Sequence, residues 1–320
     1  VSTALFFSRD PGPTNQLVAV HAQLASGKVD TSLATLGARA RGLTLLVHGK
    51  PPGDAVWRRA GIEPAHWPDD LDDAGLDALL ARLDVALVIT GTSDIDEPTD
   101  RRLWRAAARR GIESHVFLDH PANLDRRFFE SDGSATFPDR LYAPGKTYRA
   151  PLAALGIPAA SVTVAGDLHL ARLAKGAEAL DAGARRALRA DWGASDATVV
   201  VLYASECNAE MAAAGRPSAY DEFATLDRLI AMVRASEPIA GIATSPDTTV
   251  IVVRPHPRDR AGKYDAWRDS RAPRVEISVA GAPLDAVRAA DALAGMDSTL
   301  LREALTIGRP TVSLVGAVLT

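Results

Sequence analysis

The sequence predicts an α/β protein of two Rossmann-like domains whose parallel sheets face an interdomain cleft, and three observations carry that prediction. Short β-branched or apolar runs alternate with longer helical stretches along the whole chain. These runs are apolar at successive positions, so both faces of each strand are buried, as in parallel sheets covered by helices. A chain of 320 residues also suits two domains of roughly 150 residues better than one core.

In the first half, Ala4–Ser8, Leu43–His48, Val85–Thr90, Ser114–Leu118, Leu141–Ala143 and Val162–Ala165 read as strands. Helical patterns lie between them at Asn15–Leu24, Leu71–Arg82 and Thr99–Arg110. The last has Asp96, Glu97, Pro98 and Asp100 at its start, Arg109 and Arg110 at its end, and Gly111 as its stop. That distribution complements the helix dipole. Pro144–Leu155 reads as a further helix closed by Gly156. In the second half the strands are Val199–Ala204, Thr249–Arg254, Arg274–Ser278, Ala290–Ala294 and Thr311–Leu314. The domains expected are 1–166, a helical Ala/Arg-rich linker over 167–197 broken by glycines, and 198–320. Ligands of such folds bind outside the carboxyl ends of the strands.

Composition narrows the function. Hydrophobic residues make up 47% of the chain and the formal net charge is −4, so nothing draws the whole molecule to nucleic acid or an anionic membrane. The single cysteine, Cys207, excludes an internal disulfide and a multi-cysteine metal site, and it fits a cytoplasmic protein. It reads as a small buried residue, since no neighbour argues for a lowered thiol pKa. No apolar run approaches the ~20 residues of a membrane span, and Val1–Phe7 lacks the basic start of a signal peptide.

Two segments of the second half carry candidate chemistry. Val250–Asp259 runs from a strand into Arg254-Pro255-His256-Pro257-Arg258, where the prolines fix the directions of Arg254 and His256. Arginine clamps phosphate oxygens and histidine donates to them; the bland alternative is a rigid turn with solvated basic residues. The second segment makes a Gly295-Met296 turn and enters a helix at Asp297-Ser298-Thr299. Free backbone N–H groups at such a start form an anion site, with Ser298 and Thr299 adding hydroxyls and Glu303 in reach of a ribose. The alternative is that Asp297 or Ser298 simply caps the helix. Their succession, one βαβ unit apart, is more specific than either part.

These motifs resemble the C-terminal domain of the GT-B superfamily, in particular its UDP-N-acetylglucosamine 2-epimerase-like and capsule-polysaccharide or glycerophosphate transferase branches. The matching residues are His256-Pro257, Ser298, Glu303-Ala304 and Gly308-Arg309-Pro310, and Leu155–Pro158 with Val162–Asp167 is similar to the last turn and strand of the family's N-terminal domain. The resemblance implies that Arg254, His256, Ser298 and Thr299 contact a diphosphate and Glu303 a ribose. By position, Ser205 and Glu206 would approach the diphosphate or the sugar, and Asp297 is counted with the phosphate-binding residues. GT-B proteins usually continue beyond the equivalent of Thr311–Leu314 into a helix that returns to the first domain, whereas this sequence stops at Thr320.

In the first half, Phe6–Gln16 reads as a strand, a Pro/Gly turn and a capped helix, with Arg9 and Asp10 projecting into the expected cleft for acceptor or sugar binding. Asp10 is a candidate base; a solvated ion pair is the alternative. Asp119 and His120 end another strand, and either could deprotonate a hydroxyl nucleophile. The family's hydrolytic and epimerising members carry acids where this chain has Thr92 and Phe117. Arg302 replaces a second glutamate before Glu303, and no glycine doublet follows Ser298.

The expected activity is therefore a GT-B-like glycosyltransferase moving a sugar or related group from a nucleotide diphosphate donor to a small-molecule or glycan acceptor. The alternatives are a nucleotide-sugar hydrolase or 2-epimerase, and a non-catalytic nucleotide-sugar-binding module. No cofactor is expected, the nucleotide sugar being a substrate, and a homodimer is allowed. Metal-independence is expected because helix dipole, Arg254 and His256 would take the place of an ion. Asp94-Ile95-Asp96 imitates an Asp-x-Asp metal motif, but acids leading into a helix are explained by its dipole alone.

Overall fold

The computed structural model describes all residues except 69–70, 94–95, 122, 131, 177–179, 216–217, 318 and 320; Asp94-Ile95 thus lies outside the described residues. The chain forms two compact units, Val1–Arg172 and Leu173–Thr320.

Among the described residues, the first unit contains seven strands: β1 Thr3–Ser8, β2 Thr44–Gly49, β3 Ala65–His66, β4 Val85–Thr90, β5 Glu113–Phe117, β6 Arg140–Ala143 and β7 Val162–Val164. They form one parallel sheet in the order β3-β2-β1-β4-β5-β6-β7. The chain winds outward from β1 in one direction, then returns and winds outward from β4 in the other. The carboxyl ends of β1 and β4 therefore flank the switch point, where this topology opens a crevice.

β1 shows why the strands read as apolar throughout. Ala4 and Phe6 enter one core with Val18, Leu36 and Trp57, while Leu5 and Phe7 enter another with Trp67, Leu79 and Leu103. Alternate side chains point to opposite faces, and helices cover both. β3 carried no such signal. It is a two-residue exposed edge, paired only through His48↔Ala65 and Gly49↔His66. The predicted Pro144–Leu155 helix is also shorter than expected: a 3-10 turn, Lys146–Tyr148, precedes an α-helix over Arg149–Ala154.

The second unit has five described strands: β8 Val199–Ala204, β9 Thr249–Arg254, β10 Arg274–Ile277, β11 Ala292–Gly295 and β12 Thr311–Ser313. Their order is β10-β9-β8-β11-β12, all parallel, so the switch point lies between β8 and β11. β11 begins two residues later than the apolar run suggested, because Ala290 closes the Pro283–Ala289 helix. Val200, Leu202 and Ala204 face one core and Val201 and Tyr203 the other. The helix Ala182–Asp191, within the stretch read as a linker, packs into this unit. Its Arg189, 2% exposed, donates to the carbonyls of Ala289 and Ser195 at 3.1 Å each and pairs with Asp291 at 3.0 Å.

Candidate functional site

At the switch point of the second unit, three loops carry the predicted ligand residues. The loop after β8 holds Ser205 and Glu206, that after β9 holds His256, and that after β11 holds Asp297 and Ser298. The helix Thr299–Thr306 follows, with Ser298 at its N-cap position in extended backbone. The Ser298 hydroxyl does not cap the helix. It is shielded from solvent and has no hydrogen-bond partner, although a cap bond was the plain alternative to a ligand. Thr299 is exposed, and Glu303, one turn on, is buried.

Two carboxylates share this edge. Glu206 Oε1 accepts the Asp297 backbone N–H at 2.7 Å, and Asp297 Oδ1 accepts from Arg302 at 2.7 Å. Burial pushes the Glu206 carboxyl above its ordinary range, and the Asp297 and Glu222 charges add to that. Arg302, which stands where the resemblance called for a glutamate, thus neutralises Asp297. Arg254 differs from expectation: Nη1 donates to Ala280 O at 3.0 Å and Nη2 to Gly281 O at 2.9 Å. Those two donors hold the loop after β10, so the phosphate clamp drawn from sequence is in part a strut.

His256 sits in a tight turn. Its backbone N–H donates to Asp259 Oδ2 at 2.7 Å, and the Arg258 N–H donates to His256 Nδ1 at 3.1 Å. Burial lowers the pKa of the ring, which favours its neutral form. The Ser205 hydroxyl bonds to Tyr264 OH and to Asp259, so it belongs to the wall behind the His256 turn. Cys207, expected to be buried, is half-exposed, and its thiol pKa is raised by partial burial.

In the first unit, Arg9 and Asp10 follow β1, and their side chains pair at 2.8 Å. Asp10 is the N-cap residue of the helix Pro11–Ser26, yet its carboxylate makes no cap bond. Asp119, after β5, pairs with Arg127 at 2.7 Å, and Arg127 also donates to Thr92 at 3.0 Å. A Cβ at Gly12 would lie 2.0 Å from Asp119 Oδ2, so the glycine allows Asp119 to lie against the start of the helix after Asp10. His120 is next to Asp119 and half-buried. Lys50 joins this edge through Glu97 at 3.4 Å and Thr99 at 3.0 Å.

Asp100 corrects the dipole account of the 96–100 acids. It is 1% exposed, and its carboxylate accepts the Ser93 N–H at 2.6 Å and the Arg101 N–H at 2.8 Å. Burial pushes its pKa up to about 7, with the Asp10 charge acting in the same direction and Arg101 opposing. Among the described residues, no group of three or more His, Cys, Asp or Glu side chains is arranged to hold a metal ion.

Neither a scan against known protein families nor a search of curated proteins finds a match. Solved structures do match over nearly the full chain. The UDP-GlcNAc 2-epimerase from Neisseria meningitidis bound to UDP-GlcNAc superposes with a TM-score of 0.64 at 13% identity, covering 98% of this chain and 82% of that one. The two-sheet architecture and these superpositions coincide. The fold is of the GT-B type. A glycosyltransferase from Rickettsia africae ESF-5 matches at TM-score 0.58 and 9% identity, over 98% and 79% of the two chains. The wall teichoic acid polymerase TagF, as its H548A form, matches at 0.51 and 10% identity, over 97% and 69%.

Within each GT-B unit, the predicted residues gather at the switch-point edge of the sheet. Reading the sequence missed Asp259, Lys263, Glu210, Glu222 and Tyr264 in the second unit. It missed Lys50, Arg127 and the burial of Asp100 in the first. Only the four-residue spacing of Asp259 and Lys263 was a visible signal, and it does not lie in a helix.

Proposed function

We propose that the chain is a glycosyltransferase that takes a nucleotide-diphosphate sugar at the second unit and transfers the sugar to an acceptor hydroxyl or amine. The observation that carries this reading is the shielded, unpartnered Ser298 hydroxyl at the start of the 299–306 helix, across the switch point from His256. A diphosphate would accept from Ser298, from the N–H groups of that helix start and from the His256 ring. Fixed donors of this kind stabilise charge on a leaving group without reorganising. Glu206, which now accepts the Asp297 N–H, would yield that donor to the phosphate. The neighbour from Neisseria meningitidis, a structure bound to UDP-GlcNAc, supports a nucleotide sugar as the ligand class. Arg254 holds the 280–281 loop in this scheme, and Glu303 is assigned to the ribose.

In the first unit, Asp10, Asp119 and His120 are the candidates to take the proton of the acceptor nucleophile. Arg9 belongs with Asp10 through their ion pair. A second reading, a nucleotide-sugar hydrolase or 2-epimerase, is favoured by one observation. After β4, where Thr92 is not an acid, the chain carries Asp100, a carboxyl that burial pushes up to about 7. Incubation with UDP-, CDP-, GDP-, ADP- and dTDP-sugars, with and without hydroxyl or amine acceptors, separates the two. Nucleotide release that requires acceptor supports transfer. Free sugar or an epimer without acceptor refutes it, and Ser298→Ala and His256→Ala should each weaken nucleotide binding.

A further inference from the structure

Behind the His256 turn lies a charged cluster that the proposed chemistry does not use, though it touches the turn through Asp259. Lys263 Nζ, on a side chain 1% exposed, is 2.6 Å from Glu222, 2.7 Å from Asp259 and 2.7 Å from Glu210. One buried ammonium thus faces three carboxylates, an arrangement whose desolvation cost a packed apolar core would avoid. What the cluster secures is the turn above it. Asp259 Oδ1 is held by Lys263, which leaves Oδ2 for the His256 N–H at 2.7 Å and the Ser205 hydroxyl at 3.2 Å.

The Asp259 N–H donates back to His256 O at 2.9 Å, so the turn is closed at both ends. Inside it the Arg258 N–H has only one direction to point, onto His256 Nδ1 at 3.1 Å. A neutral imidazole that accepts at Nδ1 carries its proton on Nε2. We infer that Asp259, locked by Lys263, is a positioning residue that keeps the His256 proton on Nε2, where it donates to an anionic ligand oxygen. The ligand half of this inference rests on the proposed diphosphate site; the state of the ring does not.

The test uses the full chain and reads the ring itself. Long-range 1H–15N spectra report the tautomer of His256, assigned by its loss in His256→Gln. Inorganic pyrophosphate serves as the diphosphate probe in calorimetry. In Asp259→Asn the ammonium of Lys263 claims the amide oxygen, which turns the NH2 group toward the His256 N–H, a donor facing a donor. The charge balance improves, so folding is retained. Asp259→Ala removes the acceptor without adding a donor.

The wild-type ring should show the Nε2–H tautomer. Both variants should show a mixture and bind pyrophosphate roughly 10-fold more weakly, the scale of one lost hydrogen bond. A folded variant that keeps the wild-type ring spectrum, or a mixed ring that binds as tightly as wild type, overturns the inference. Wild-type protein that shows the tautomer but binds no pyrophosphate sinks the diphosphate site, while the ring comparison still decides the role of Asp259.

Discussion

Asp100 should make the stability of the first unit fall as pH rises. A buried carboxyl raised from 3.8 to about 7 binds its proton more tightly in the folded chain than in the unfolded one. Its contribution is therefore fully present below about pH 4 and is lost as pH rises through 7. The shift of about three pKa units corresponds to about 4 kcal/mol. Asp100→Asn has the same shape but does not titrate, so subtracting its stability from that of wild type isolates this one group. The misplaced NH2 group adds only a pH-independent offset, because it would face the Ser93 or Arg101 N–H. The assay is urea unfolding from pH 4 to pH 8 by fluorescence in a Trp192→Phe/Trp267→Phe background. There only Trp57, Trp67 and Trp104, all in the first unit, report. The wild-type minus variant difference should fall by about 4 kcal/mol across that range. Parallel curves would mean that Arg101 and the two N–H donors outweigh burial, and Asp100 would then have no claim as a proton-exchanging acid.

Gly12→Ala places a Cβ where Asp119 Oδ2 lies, so it should break the Asp119–Arg127 pair. The expected cost is about 1–3 kcal/mol, seen as a lower melting temperature, and an unchanged melting temperature would refute the close approach. Arg189→Met removes one of the donors to Asp291 and leaves the carbonyls of Ala289, Ser195 and Thr198 without the guanidinium, and should cost about 3–5 kcal/mol in urea unfolding. A loss below about 1 kcal/mol would show that water replaces it. The thiol of Cys207 should react slowly with a disulfide reagent at pH 7 and faster only as pH rises beyond its ordinary value, because burial raises its pKa. A fast reaction at pH 6 would contradict that.

Most strands of both sheets were legible because a parallel strand buried on two faces is apolar at successive positions, as in Ala4–Phe7 and Val199–Ala204. β3 was not, since two exposed residues joined only by backbone bonds leave no mark in side-chain chemistry. The positions of Ser298 and His256 in the loops after their strands were legible by order and spacing. The sequence did not show whether the Ser298 hydroxyl caps its helix, because that depends on whether it turns to its own backbone. Asp100 was read as a dipole acid for a similar reason: a carboxylate at a helix start looks the same whether solvent or protein surrounds it.

What the sequence by itself determined is the α/β class, the two parallel sheets and the loops at the strand ends that carry the candidate residues, all of which follow from local periodicity and chain direction. Tertiary structure alone decided which charges face each other. It turned Arg254 from a phosphate clamp toward a strut, set Arg302 against Asp297, and gathered Lys263 with carboxylates from three segments under His256. The physical reason is that an ion pair between distant segments has no period and no fixed spacing. Its partners are known only once the sheet order has brought their loops to one edge.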